Sequence, residues 1–146
     1  MIIRFPYSFP VISINIPFFD GQSLYFDFKS ISKEELLKQA DFVTVHVPAQ
    51  KEYVIGKSEI ALMKEGAALV NAARGGVLDE VALIEALENK KLSFAGLDVF
   101  ESEPNPEIKV LMNPNISLSP HIGAATGEAQ NRIGIELANQ IIELLK

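Results

Sequence analysis

Cysteine is absent from this chain of 146 residues. No disulfide framework and no thiolate zinc site can hold it together, and a reducing compartment suits its chemistry. Histidine is scarce, with two copies, so any imidazole chemistry falls on His46 or His121. Basic residues are outnumbered, 13 Lys and Arg against 19 Asp and Glu, for a formal charge of −6. They are scattered rather than clustered, which excludes a nucleic-acid backbone as the expected partner. Long apolar runs are missing as well. The opening MIIRFPYSFPVISINIPFFDG raises the question of a signal or membrane segment, but Arg4, Pro6, Pro10 and Pro17 interrupt it. A spanning helix needs about 20 apolar residues in a row, so no membrane partner is expected and a cytoplasmic location is.

What is present fits one soluble globular domain. Hydrophobic residues make up 48% and charged residues 22%, near the averages for such domains, and a chain of this length can bury a core unaided. A buried strand is expected over residues 11–16. Ser32 and Glu35 have capping-box spacing, so a helix should run to about Gln39. Residues 42–48, FVTVHVP, read as a strand that stops at its proline. Ser58 can cap a short helix that ends at Gly66. The unit then repeats: a strand at 67–73 (AALVNAA), and a helix at 79–91 with Val81, Leu83, Ile84 and Leu87 on one side. A strand at 93–100 follows, then ESEPNPEIKVLMNPN as a long loop, a strand at 116–119, and a last helix capped by Thr126 that carries Ile133, Leu137, Ile141, Leu144 and Leu145. Near-continuous apolar strands between amphipathic helices predict an α/β fold, a doubly wound parallel sheet covered on both faces.

Ligands of such sheets bind beyond the carboxyl ends of the strands. His46 comes after the apolar start of its strand, Arg74 after LVNAA, Asp98 and Glu103 after FAGL, and His121 after ISLSP, so four consecutive strands deliver charged or titratable groups to one edge. Structural alternatives stay open for each: His46 as a satisfied strand-end histidine, Arg74 as a solvated turn residue before Gly75-Gly76, Glu103 as a hydrated loop glutamate. Asp98 lies within an apolar strand, where a carboxylate is costly without a partner. A histidine with a carboxylate beside it can exchange a proton with a hydroxyl or carbonyl oxygen. An arginine can grip a carboxylate through two hydrogen bonds. Together these groups suggest a 2-hydroxy or 2-keto acid.

Three blocks, NAARGGVLDEVALIEAL, GLDVFESEP and SPHIGAATGEAQNRIG, resemble the D-isomer-specific 2-hydroxyacid dehydrogenase family, in its order and spacing, the last most like the D-3-phosphoglycerate dehydrogenase branch. The resemblance covers residues 30–146 firmly and 9–29 loosely. It implies a Rossmann-like NAD-binding domain and a hydride transfer between NAD and a D-2-hydroxy acid, 3-phosphoglycerate foremost, with glyoxylate, hydroxypyruvate or D-lactate as alternatives. Carried over residue by residue, it makes Arg74 the holder of the substrate carboxylate, Glu103 the partner of the histidine, and His121 the general acid/base. Asp98 would contact the nicotinamide carboxamide. His46, Val47, Ala72, Gly123 and Ala124 would line the cofactor pocket, and Asn15 would stand where an acidic residue usually meets the adenosine ribose. A homodimer is implied for the complete enzyme, and no metal.

Two departures accompany the resemblance. No G-x-G-x-x-G occurs in the sequence, although a dinucleotide-binding sheet normally begins with a strand leading into that loop; residues matching the family's substrate domain are not found either. The expectation is a partial NAD-binding domain over 1–146, with its first βα unit absent and negligible activity on its own. A non-catalytic binding or assembly module is the alternative; the joint presence of Arg74, Glu103 and His121 weighs against it.

Overall fold

The computed structural model describes residues 2–4, 11–15 and 27–145, with side chains from residue 31. Five strands form one parallel sheet in the order β1-β4-β5-β6-β7: β1 (Ile2–Arg4), β4 (Phe42–His46), β5 (Ala67–Asn71), β6 (Leu92–Leu97) and β7 (Ile116–Leu118). Between β4 and β7 the chain alternates strand and helix as the apolar pattern predicts: α2 (Lys57–Leu62), α3 (Glu80–Glu88) and α4 (Ile108–Leu111). Ahead of β4 lies α1 (Lys33–Gln39), and after β7 comes α5 (Gly127–Leu144). The parallel α/β fold read from the sequence is the fold observed.

Local chemistry sets most helix starts. Ser32 and Glu35 cap α1 reciprocally, and the side chains of Asp79 and Thr126 accept from Ala82 N and Ala129 N to cap α3 and α5. Helix α2 departs from expectation. It is capped by Gly56 rather than Ser58, because the Glu59 carboxylate takes both the Gly56 amide, at 3.1 Å, and the Ser58 hydroxyl, at 2.9 Å. It also ends early, at Leu62. Gly66 lies beyond it with φ 74°, in the turn that feeds β5, and its amide donates to Lys91 O at 3.0 Å.

The core lies between the sheet and helices α1 to α3: Leu36, Leu37, Val43, Val45, Ile60, Leu69, Leu83, Leu87, Ala95 and Leu97 are all buried in one cluster. Three expectations need correction. In α3, Val81 is 66% exposed; it shares the outer face with Glu85 and Glu88, while Ala82, Leu83, Ile84, Ala86 and Leu87 turn inward. The loop after β6 holds a single turn of helix, α4, because Val110 is fully buried and anchors it. In β4, burial alternates, with Val43 and Val45 inside and Phe42 and His46 exposed. Among the described residues, helices cover that strand on the face of Val43 and Val45.

The strand expected at residues 11–16 is present as β2 (Val11–Asn15), but not in the parallel sheet. It pairs antiparallel with β3 (Asp27–Ile31), Asn15 opposite Asp27. The position beside β4 is taken by β1 instead, in the register Ile2 with Thr44.

Candidate active site

At the carboxyl ends of β5, β6 and β7 three loops meet. The first opens with Asn71, the one polar residue of its strand, which is 2% exposed. Asn71 Oδ1 accepts from Ala73 N at 3.1 Å and Nδ2 donates to Arg74 O at 3.0 Å, so a buried amide closes the turn that presents Arg74. Arg74 is exposed; one Nη donates to Ala73 O at 2.6 Å. Asn71 also accepts, through its carbonyl, the amide of Asp98 at 3.0 Å, joining the first loop to the second.

Asp98 directly follows β6 and is 8% exposed. Its carboxylate collects three donors from the third loop: Ser119 Oγ at 2.6 Å and Ile122 N at 2.9 Å on Oδ1, and Gly123 N at 2.9 Å on Oδ2. Burial alone would raise this carboxyl, but those hydrogen bonds outweigh it and hold it below the usual carboxylate range. A Cβ on Gly123 would stand 2.9 Å from Asp98 Oδ2, so only glycine fits there without a shift.

That loop carries His121, whose φ of 54° is left-handed, a conformation which costs a non-glycine residue about 1–2 kcal/mol. The donors that Asp98 accepts from, Ser119, Ile122 and Gly123, flank it on both sides, and His121 Nδ1 meets Glu103 Oε2 at 2.8 Å. Glu103 Oε1 accepts from Phe100 N at 2.9 Å, so the glutamate is oriented from behind. The imidazole first, and then the Phe100 amide, hold the Glu103 carboxyl below its ordinary range. A carboxylate on Nδ1 fixes the tautomer that leaves Nε2 free to accept a proton. Beside the pair opens a pocket of about 430 Å³, walled by Phe100, Pro104, Pro106, Leu111, Leu118 and Pro120, a volume in the range of small-molecule sites.

The expected set is thus drawn together in part. His121, Glu103 and Asp98 share one hydrogen-bonded unit, and Arg74 reaches the same edge on the neighbouring loop. His46 ends β4 and bonds back to Thr44 Oγ1 through Nε2 at 3.0 Å, as a satisfied strand-end histidine does. Val47 is buried, Ala72 is exposed beside Arg74, and Ala124 O accepts from Gln130 Nε2 at 2.5 Å. Asn15 ends β2, outside the parallel sheet, so the placement expected for a ribose contact on a second parallel strand is not the one observed. Asn71 and Ser119 were missed. The signal for Asn71 was in view: a lone polar residue inside AALVNAA.

Residues 20–123 match the family model described as D-isomer specific 2-hydroxyacid dehydrogenase, NAD binding domain. The chain belongs to this family. A D-3-phosphoglycerate dehydrogenase of Methanocaldococcus jannaschii is 48% identical to this member over 114 residues, which are 77% of this chain and 22% of that protein. A hydroxypyruvate reductase of Thermotoga maritima is 46% identical over 120 residues, 79% of this chain and 39% of that protein. In structure, this dehydrogenase-family domain is similar to a glyoxylate reductase from Paecilomyes thermophila, with a TM-score of 0.68 and 39% identity over 80% of this chain and 36% of that one. It spans well under half the length of each relative. The fit to NAD is divided. Ala72 is exposed just after β5, and the small residues Gly123 and Ala124 follow β7, on the sheet edge where such folds bind dinucleotides, while a glycine-rich pyrophosphate loop is not in the sequence.

Proposed function

We propose that this domain carries the proton-transfer and carboxylate-binding groups for hydride transfer between NAD and a D-2-hydroxy acid of the 3-phosphoglycerate class. The observation that carries the reading is the His121–Glu103 pair at 2.8 Å, held on the sheet edge that Arg74 also reaches. Arg74 would grip the substrate carboxylate with its planar fork. His121 Nε2 would take the proton of the C2 hydroxyl in oxidation and return it in reduction. Glu103 would stabilise the imidazolium formed, and Asp98 would hold the loop that aims it. NAD, when bound, supplies the hydride acceptor; His46, Val47, Ala72, Gly123 and Ala124 would line its pocket. The phosphoglycerate class is supported by the names of several similar relatives. Glyoxylate or hydroxypyruvate is the second reading, supported by others.

Titration of the purified chain with 3-phosphoglycerate, glycerate and lactate, followed by NMR, tests this. Binding of at least one of them is expected, weakened about tenfold or more in Arg74→Lys, which keeps the charge but loses the fork. Binding indifferent to Arg74 would overturn the assignment. Catalysis is read in a chimera with residues 31–145 placed in the matching stretch of the Thermotoga maritima hydroxypyruvate reductase. There His121→Ala is expected to lower kcat by roughly 100- to 10,000-fold.

A further inference from the structure

Glu80 is 5% exposed in the first turn of α3, with Glu101, Glu103 and Glu107 near enough to repel it. Burial, first, and those charges push its carboxyl up, against the Glu101 amide that donates to it. A buried carboxylate among like charges is a costly choice for a helix start. Its contacts show what it does. Glu101 N donates to Glu80 Oε1 at 2.7 Å, and Glu80 N donates to Glu101 Oε1 at 2.9 Å, a reciprocal brace between residues 21 apart. Tyr53 Oη fixes the other Glu101 oxygen at 3.1 Å.

The brace joins the two loops that matter for the reaction. Arg74 is followed by Gly75, where an added Cβ would fall 1.9 Å from Phe100 O. Phe100 N holds Glu103 Oε1 at 2.9 Å, and Glu103 Oε2 holds His121. A continuous packed path therefore runs from the Arg74 turn through Phe100 to the histidine, and the two glutamates lock it one residue beyond Phe100.

We propose that Glu80 and Glu101 are positioning residues which fix the separation of Arg74 from the Glu103–His121 pair, so that one 2-oxo or 2-hydroxy acid touches both. This rests on the roles proposed above for Arg74 and His121. Neither glutamate touches substrate; each acts through the loop it holds.

The full chain is titrated with two probes by NMR. Acetate offers a carboxylate to Arg74 alone; oxamate adds an adjacent carbonyl within reach of His121. In Glu101→Ala, oxamate binding is expected to fall about tenfold while acetate changes less than about twofold, since misplacement harms only the ligand that needs both groups. Glu101→Gln, whose amide oxygen still accepts from Glu80 N, should restore oxamate binding. A folded Glu101→Ala with unchanged oxamate binding overturns the proposal, and so does an equal loss for both probes. Should that variant not fold, Tyr53→Phe serves in its place: a selective loss of about two- to threefold supports the brace, and no loss overturns it. A wild-type chain that binds oxamate no better than acetate removes the functional reading itself, and the proposal with it.

Discussion

At the residue scale, Asp98 is the group on which the site's geometry depends. Its three donors come from residues 21 to 25 positions later in the chain, so it converts a strand end into an anchor for the His121 loop. Asparagine there would keep one oxygen but turn an NH₂ toward an amide that already donates. Asp98→Asn is expected to cost about 1–3 kcal/mol of stability, read by denaturant unfolding. The His121–Glu103 contact should loosen with it, read as the loss of the His121 Nδ1 proton signal. An unchanged midpoint and an unchanged signal would show that Asp98 does not hold the loop. Arg74, Glu103 and His121 were legible as candidates because their types and motif spacing carry chemistry. Their placement on adjoining loops was not legible, since Asn71, Gly75 and Phe100 join those loops through contacts that no local pattern displays.

At the scale of elements, helix starts were readable where the cap is a neighbour in sequence. Ser32, Asp79 and Thr126 each accept from an amide three residues on. Ser58 misled because a tertiary partner decides that start. Lys33, from α1, lies 2.9 Å from Glu59 Oε1 and ties α1 to α2. Burial opposes the charge on Glu59, yet Lys33, the Gly56 amide and the Ser58 hydroxyl overcome it and bring the carboxyl down to about 2. A carboxyl lowered in the folded state lends stability that is complete above its unfolded value, near 4.5, and is lost as pH falls toward 2. The amount is on the order of 3 kcal/mol. Thermal unfolding followed from pH 5 down to pH 2 should therefore drop more steeply for the wild type than for Glu59→Gln; parallel curves would show that the α1–α2 bridge contributes nothing of the kind.

For the whole molecule, the described residues divide into a packed part and an outlying one. The sheet and helices α1 to α3 share one buried cluster, whereas α5 has 18 residues and none buried. Helix α5 is held by its Thr126 cap, its own hydrogen bonds and pairs such as Glu136 with Gln140 at 2.9 Å. An isolated helix of this length is marginal in water. Amide hydrogen exchange is thus expected to be fast across α5 and slow in β5 and β6, which lie in the middle of the sheet. Equal protection of α5 and β5 would mean that its apolar residues are covered in solution.

What the sequence determined by itself was periodic, local or chemical: the alternation of strands and helices, the parallel sheet, most of the caps, the family and the three residues proposed here to react. These depend on spacings within a few residues or within a motif, which a linear string displays. What only the tertiary structure decided was pairing at a distance. It placed β1 beside β4 and turned β2 and β3 into an antiparallel ladder. It also joined Asn71 to Asp98, Asp98 to Gly123 and Glu80 to Glu101. A buried polar group must find a partner wherever the fold brings one, and the identity of that partner is a property of the packed chain rather than of any stretch of it.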